Sequence, residues 1–278
     1  MMDGEALSND DLDVSVSDDE LVVRATIDRP EKRNALNDAV MFGLIDVLEA
    51  ADESPARVVV IRGAEGTFCS GGDLTGFPIG QGVVAYRENF GSLATLIDAM
   101  QSTSALTIAA VEGYCLAGGL GVASACEFVL ASEDATFGTP EVDVGLFPAQ
   151  AMAPITRAAS EKAALKLLFT GEKIGAEAAR EMGLVTDLSS PDSFDDDLDT
   201  LVDTLAANSP ALIADRQGGL LRAAGHGVFL GAVLPQGDSH PDRDERGHRG
   251  GHQRLPDRQR AGMAGAVTWR SSTHSRNR

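Results

Sequence analysis

A chain of 278 residues with 43% hydrophobic residues can bury the core of one large domain or two small ones. Its net charge of −19 argues against nucleic acid or an anionic membrane as a partner of the main body, and no apolar run approaches the roughly 18 residues of a membrane span. The three cysteines form no CxxC pair, so the sequence predicts reduced thiols and no metal site.

The charge is distributed unevenly along the chain. Residues 216–278 carry 11 Arg, no Lys and five acidic residues, a net charge of +6, whereas residues 1–215 carry −25. Dense carboxylates keep a surface hydrated, and high salt screens their mutual repulsion. The composition of residues 1–215 therefore predicts a salt-adapted (halophilic) cytoplasmic protein, and the acidic N-terminus lacks the apolar core of a secretion signal.

The apolar periodicity predicts alternating strands and helices after a disordered acidic stretch at residues 1–11. Strands are predicted at residues 13–17, 21–27, 57–62, 106–111, 128–131, 135–137 and 184–185. Helices are predicted from a cap at Asn37 or Asp38 to near Pro55, and at residues 86–100, 149–159, 162–169, 176–182 and 194–205. Residues 75–85 are predicted to form a loop, because glycine interrupts their pattern.

Two of these strands lead into glycine-rich turns. Residues 68–74 read FCSGGDL after one apolar strand, and residues 112–121 read EGYCLAGGLG after another. Glycines leave backbone N–H groups uncovered, and a helix that begins at such a turn points its first amides outward. Two such turns can converge on one oxygen atom about 3 Å away, which is the geometry of an oxyanion hole.

Four motifs in register resemble the enoyl-CoA hydratase/isomerase (crotonase) family. They are IDRPEKRNALN, FCSGGDL, AAVEGYCLAGGLG and ATFGTPEVDVGLFP, and the resemblance runs from about residue 12 to about residue 213. It implies an α/β fold, a crotonase-like spiral of β-β-α units, here followed by an irregular C-terminal tail. It also implies an acyl-CoA substrate, with coenzyme A as part of the substrate and no separate cofactor, and a homotrimer or dimer of trimers.

The resemblance assigns three catalytic positions. Gly72 and Gly118 match the residues whose amides bind the thioester carbonyl, although tight turns alone would also favour glycine there. Glu141 matches a carboxylate that acts as general acid or base beside the α and β carbons. Such a group works best when burial raises its pKa towards neutrality.

The chain departs from the hydratase pattern at Gly121. Hydratases of the family carry a second Glu there to hold the attacking water, whereas isomerase members often lack it and move a proton with one Glu. Asp143 would share a face with Glu141 if the segment were a strand, which makes it a weak substitute. Hydration of a 2-enoyl-CoA and double-bond isomerisation both stay open.

A CoA-binding loop is implied by the same resemblance. Its matching residues are Lys32, Arg33, Ala35, Ser70 and Leu74. The basic groups would lie near phosphates, and backbone groups would meet the adenine, while a solvated loop is the alternative for the two basic side chains. Asp73 is expected to cap a helix rather than to react.

Residues 216–278 do not resemble the helices that end this family. The predicted division is therefore a disordered N-terminus at 1–11, an acyl-CoA domain at 12–215 and an aberrant basic tail at 216–278. Three interpretations of the tail are open: it is disordered, it binds nucleic acid, or it is translated in the wrong reading frame. We prefer the third, because several residue frequencies change together. An alternative function is then a catalytically impaired CoA-binding or assembly protein of the same fold.

A second alternative is dinucleotide binding. Residues 119–124 follow a strand and open a helix, and they half-fit the GxGxxG fingerprint. The third glycine is absent, so the signal is weak.

Overall fold

The structure is a computed structural model that describes residues 2–73, 91–210 and 212–213. The strands are β1 (Leu12–Val16), β2 (Val22–Ile27), β3 (Val58–Gly63), β4 (Leu106–Val111), β5 (Tyr114–Leu116), β6 (Phe128–Ser132), β7 (Thr136–Gly138), β8 (Lys173–Gly175) and β9 (Asp187–Ser189). The helices are α1 (Gly4–Leu7), α2 (Asp38–Asp52), α3 (Gly91–Ser102), α4 (Gly118–Ala125), α5 (Ala149–Ala158), α6 (Glu161–Thr170), α7 (Ala176–Met182) and α8 (Phe194–Ala206). Short 3₁₀ helices occupy Pro30–Lys32, Ala64–Gly66 and Pro140–Val144.

The strands form two sheets. The larger sheet has the order β1-β2-β3-β4-β6-β9, and the smaller one the order β5-β7-β8. Only the β1–β2 pair of the larger sheet is antiparallel. From β4 to β7 the strands alternate between the sheets, since β4 is followed by β5 and β6 by β7, and a helix or 3₁₀ helix follows each of these two pairs. This is the β-β-α spiral that the resemblance implied, and that prediction is confirmed.

Both faces of the larger sheet are buried, which explains its continuous apolar strands. In β3, Val59 and Ile61 face the main core together with residues of α2 to α7. Val58 and Val60 point to the opposite face, where the apolar side of α8 covers them. The glycine turns leave the sheet at the carboxyl ends of β3 and β4, where α/β folds commonly place their sites.

Most predicted elements are found within a few residues of their expected positions. The Asn37 cap is confirmed, because its side chain accepts the Val40 N–H at 2.9 Å. The strand predicted at 184–185 is wrong: those residues form a buried turn, and β9 begins at Asp187. Residues 74–90, with the predicted loop and the start of the helix at 86–100, lie outside the described residues, as does the predicted tail.

The N-terminal stretch differs from the expected disorder, since residues 4–7 form α1. Ser8 explains why this segment is ordered. Its hydroxyl accepts the Val14 N–H at 2.9 Å and donates to the Val14 carbonyl at 3.4 Å. The segment thereby covers part of the edge strand β1, whose backbone groups would otherwise lack partners. None of the helices in the described ranges has the length and apolar character needed to cross a bilayer.

Candidate active site

The first glycine turn directs the N–H of Gly72 away from the neighbouring loop, although the residues on either side of Gly72 bond to that loop. Leu36 donates its N–H to the Gly71 carbonyl at 2.8 Å and accepts the Asp73 N–H at 2.7 Å, so Leu36 and Gly72 form a parallel bridge. In a bridge of this pattern, the N–H of Gly72 itself points to the opposite side. Among the described residues it has no hydrogen-bond acceptor, and it is therefore available to a ligand.

The second turn ends at the N-terminus of α4. Ala117 precedes the helix with φ 51° and ψ −123°, a conformation that costs an L residue on the order of 1–3 kcal/mol. Its N–H is fixed by the Gly138 carbonyl at 2.8 Å. Gly118 is the first helical residue, so its N–H has no acceptor within the helix, and the described part of the chain offers it none elsewhere.

The two turns lie against each other. A Cβ atom built on Gly118 would lie 3.6 Å from the Gly72 nitrogen, and one built on Gly71 would lie 3.6 Å from the Gly118 nitrogen. The first of these atoms would also meet Cδ2 of Leu93 at 3.3 Å. The structure thus brings two unpartnered amides close together, as expected from the sequence. Such a pair can bind one oxygen anion.

The remaining glycines of α4 serve close packing. A Cβ on Gly119 would lie 2.7 Å from Cβ and 2.9 Å from the carbonyl oxygen of Cys69. A Cβ on Gly121 would lie 2.8 Å from Cβ of Ala151. Both glycines of the half-matched dinucleotide fingerprint are therefore required by their neighbours, which removes the reason for that alternative.

Glu141 is the described carboxyl with the features of an acid–base group. It lies in the 3₁₀ helix Pro140–Val144, directly after β7, and the bond from Ala117 to Gly138 ties this segment to the second turn. Its Oε2 atom is buried and has no hydrogen-bond partner in the described part of the chain. Burial raises the pKa of Glu141 to about 7, against the smaller lowering effect of a hydrogen bond from its own backbone N–H.

Asp143 does not substitute for a second carboxylate. The segment is a 3₁₀ helix and not a strand, so residues two apart lie on different sides of it. Asp143 is exposed, and its Oδ1 atom lies 3.4 Å from a Cβ built on Gly171, at the start of the turn that leads to β8. The expectation that it shares a face with Glu141 is therefore wrong.

The position of the family's second carboxylate is filled by helix α5. Gly121 is buried, and the direction of its missing side chain is blocked by Ala151, whose Cα lies 3.0 Å from a Cβ built on the glycine. Adding a longer side chain to such a contact forces the backbone to move. The absence of a carboxylate at Gly121 is thus accompanied by a small residue, Ala151, that packs directly against it.

The residues expected to bind CoA lie along one seam beside the first turn. Ser70 donates its N–H to the Arg33 carbonyl at 3.0 Å and its hydroxyl to the Lys32 carbonyl at 3.3 Å. The side chains of Lys32 and Arg33 are exposed, and neither forms an ion pair with any described residue. The Ala35 carbonyl accepts a hydrogen bond from Arg29 at 2.5 Å and keeps a second lone pair. Leu74 lies outside the described residues.

Sequence reasoning missed two polar residues behind this seam. Arg29 is only 8% exposed and Asn34 is fully buried, although both lie in the polar stretch that follows β2. The Asn34 side chain accepts the Arg29 N–H at 2.9 Å and donates to the carbonyls of Ala64 and Thr67. Both residues lie in the motif IDRPEKRNALN, but nothing in the letters marked them as buried. Within the described residues, no three His, Cys, Asp or Glu side chains come together as metal ligands.

Comparisons with known proteins agree with this architecture. The sequence profile of a family described as enoyl-CoA hydratase/isomerase matches residues 18–222. The chain is 34% identical over 205 residues to the 2,3-dehydroadipyl-CoA hydratase of Escherichia coli (strain K12). The aligned region covers 73% of this chain and 79% of that protein.

Solved structures give the same result. An enoyl-CoA hydratase from Mycobacterium smegmatis superposes with a TM-score of 0.75 at 28% identity, covering 79% of this chain and 86% of that one. AtuE from Pseudomonas aeruginosa superposes with a TM-score of 0.73 at 31% identity, covering 80% and 86%. The profile match, the level of identity and the shared fold together mean that this chain belongs to the enoyl-CoA hydratase/isomerase (crotonase) family.

Proposed function

We propose that this protein moves a proton on the acyl group of an acyl-CoA thioester through an enolate that two backbone amides stabilise. The observation that carries the proposal is Glu141, a half-buried residue whose buried Oε2 atom has no hydrogen-bond partner among the described residues. Burial raises the pKa of this carboxyl to about 7, and its segment is tied to the second of two converging glycine turns. A carboxyl whose pKa lies near the working pH can take up and return a proton at similar cost.

The amides of Gly72 and Gly118 would donate to the thioester carbonyl oxygen. These bonds strengthen as negative charge develops on that oxygen, which lowers the barrier to removal of the α proton. With a 3-enoyl thioester, the Glu141 carboxylate takes the α proton, and the electron pair moves into the carbonyl to form a dienolate. Glu141 then returns the proton to the γ carbon, which releases the 2-enoyl thioester.

The contact between Gly121 and Ala151 favours isomerisation over hydration. Hydration needs a water molecule held for attack on the β carbon, and hydratases of the family use two carboxylates for this purpose. Here α5 approaches so closely that a Cβ at position 121 would lie 2.8 Å from Cβ of Ala151. A single carboxyl suffices for the proton transfer, which begins and ends on carbon.

Hydration is the second candidate reaction. The relative from Escherichia coli is named as a hydratase, and it shares 34% identity with this chain. If this chain hydrates its substrate, Glu141 must both activate the water and protonate the α carbon. The product would then be a 3-hydroxyacyl thioester rather than an isomeric enoyl thioester.

The seam along residues 32–36 supports a CoA ester as the substrate. Lys32 and Arg33 expose cationic groups beside the first turn that have no ion-pair partner among the described residues, and phosphate groups would neutralise them there. Ser70 joins this loop to the turn that carries Gly72. The acyl chain, the homotrimer, the cytoplasmic location and the salt adaptation stay predictions.

The composition of residues 216–278 favours a third candidate, a CoA-binding protein with impaired catalysis. Their 11 Arg, five His and absence of Lys differ from the rest of the chain in several frequencies at once. Individual substitutions would not produce that change together, whereas a shifted reading frame would. The nucleotide sequence after codon 215 tests this directly: another frame should encode acidic amphipathic helices, and the idea fails if neither other frame does.

One experiment separates the three candidates. The protein is incubated in D₂O, at low and at molar salt, with 2-enoyl- and 3-enoyl-CoA esters of different chain lengths. Isomerisation predicts deuterium at the α or γ carbon of an enoyl product, and hydration predicts a 3-hydroxyacyl product. If CoA binds but no ester exchanges a proton, catalysis is impaired and the proposed reaction is wrong.

A further inference from the structure

Arg29 places a buried positive charge directly behind the candidate site. Its side chain is 10% exposed, and its guanidinium meets three acceptors from three parts of the chain. It donates to Oδ1 of Asp11 at 3.2 Å, to the Ala35 carbonyl at 2.5 Å and to Oδ2 of Asp73 at 2.9 Å. Because a charge is buried only when it is well paired, these contacts fix the guanidinium and its acceptors in place.

Two of these acceptors lie next to the bridge between Gly72 and Leu36, one on each of the two bridged segments. Asp73 follows Gly72 in the chain, and Ala35 precedes Leu36, which bonds to both neighbours of Gly72. Gly72 has no side chain, so its peptide groups are oriented only by what holds its neighbours. A rotation of the peptide would turn the N–H away from the second glycine turn. The guanidinium opposes this rotation through both strands of the bridge.

Asn34 and Asp11 extend the same polar network. The Asn34 side chain accepts the backbone N–H of Arg29 at 2.9 Å and binds the backbone that follows β3. Asp11 accepts a hydrogen bond from Asn37 at 2.7 Å through its second oxygen, and Asn37 caps α2. The loop at residues 29–37 is therefore anchored at both ends, by Arg29 at its start and by Asn37 at its end.

We propose that Arg29 is a positioning residue that orients the Gly72 amide through Asp73 and shapes the CoA-binding loop through Ala35. It touches no reacting atom and acts through the backbone. The proposal rests on the proposed function, since Gly72 matters only if it binds the thioester oxygen. It predicts that one guanidinium couples polarisation of the thioester to recognition of the nucleotide end of the substrate.

The test separates the two arms of the guanidinium. Asp73→Asn weakens the bond from Arg29 to the residue after Gly72 and leaves the bond from Arg29 to Ala35, so kcat should fall by at least about tenfold, and the CoA dissociation constant should change less than about twofold. Arg29→Lys keeps the charge but loses the fork, so both quantities should worsen. The exposed pair of Arg24 and Asp199, 2.8 Å apart, supplies matched controls in Arg24→Lys and Asp199→Asn, which should leave both unchanged.

Two further readouts distinguish positioning from a general loss of structure. The carbonyl stretching frequency of a bound acyl-CoA should shift less in Asp73→Asn than in the wild type, while the unfolding midpoints stay close. Hydrogen–deuterium exchange across residues 69–73 should accelerate in Arg29→Lys without any substrate. If wild-type protein turns over no ester, the proposed function fails, and the exchange result still decides the role of Arg29. An unchanged exchange rate and carbonyl shift in folded variants would overturn the inference.

Discussion

The two halves of the proposed site are built in opposite ways. The amide half consists of backbone groups on two closely packed turns, where a Cβ atom built on Gly119 would lie only 2.7 to 2.9 Å from atoms of Cys69. The carboxyl half is a single side chain on a short 3₁₀ helix, with one buried oxygen that has no hydrogen-bond partner among the described residues. The amide half is held in place by backbone hydrogen bonds and close packing, whereas the carboxyl half is reactive because its environment leaves it unsatisfied.

This difference determines how each half can be disrupted. Backbone donors cannot be removed by an ordinary substitution, so they are lost only when a nitrogen loses its hydrogen or when a turn moves. The carboxyl can be neutralised without changing its shape. The following predictions use this contrast, and they run from the largest expected effect to the smallest.

Glu141→Gln removes the proton acceptor and keeps the volume of the side chain. We expect turnover to fall by about 10³-fold or more, near the upper range for loss of a general base, while CoA binding is retained. Proton exchange between substrate and D₂O measures the effect. Asp143→Asn, in the same 3₁₀ helix but exposed, is the matched control and should stay within about twofold of the wild type. Inactivation by Asp143→Asn instead would exchange the roles of the two carboxyls.

Gly118→Pro deletes one amide donor from the other half. Proline is tolerated at the first helical position, so the helix should form, and kcat should fall by about 10²-fold, the usual effect of losing one oxyanion donor. Gly118→Ala keeps the N–H and adds the same first carbon, which meets Leu93 Cδ2 at 3.3 Å. Gly118→Ala thus controls for the added Cβ, whereas Gly118→Pro also replaces the N–H with a ring carbon on the nitrogen. Equal rates in the two variants would remove Gly118 from the oxyanion hole.

The pH dependence belongs to the carboxyl half alone. Burial raises the pKa of Glu141 to about 7, and only the carboxylate can accept the α proton. The rate should therefore fall about tenfold per pH unit below that value and level off above it. A pH profile of kcat/KM, which reports groups of the free enzyme, should show the same midpoint for the wild type and for Gly118→Ala, because the amides do not titrate. A midpoint near 4.5, the ordinary value for Glu, would mean that Glu141 is solvated.

Gly121→Glu tests whether a second carboxylate can be added to the site. Alone, the substitution should destabilise the fold by about 1 to 3 kcal/mol, because the new side chain collides with Ala151. Combined with Ala151→Gly, it should regain most of that stability and raise hydration relative to isomerisation by a few-fold. Chemical denaturation and product analysis measure the two effects. If the single variant is as stable as the wild type, α5 does not restrict this position.

The amide half could be predicted from the sequence, and the carboxyl half only in part. Consecutive glycines after an apolar strand are a local signal that predicts the two turns, and the resemblance then singles out Gly72 and Gly118 within them. The resemblance placed Glu141, but its burial and unpartnered oxygen depend on distant residues. The error at Asp143 arose because a five-residue segment has too few side chains to distinguish a 3₁₀ helix from a strand.

Distant contacts also explain the other differences. β5 and β8 are three residues each, too short to show a period, and each is held in the smaller sheet by pairing with β7. The strand was predicted at residues 184–185, ahead of β9, because Leu184 and Val185 are as buried as strand residues although they form a turn. Arg29 was missed for the same reason, since an Arg in a polar loop is normally exposed.

The close packing of Gly119 against Cys69 links the reactivity of the Cys69 thiol to the separation of the two glycine turns. Burial raises the pKa of the Cys69 thiol to about 12, so in the closed turn almost none of it is the thiolate that alkylating reagents attack. Its sulfur lies 2.8 Å from the place where a Cβ of Gly119 would be, so a reagent cannot reach it until α4 separates from the turn that carries Gly72. The alkylation rate of Cys69 under native conditions therefore measures how often the two turns separate.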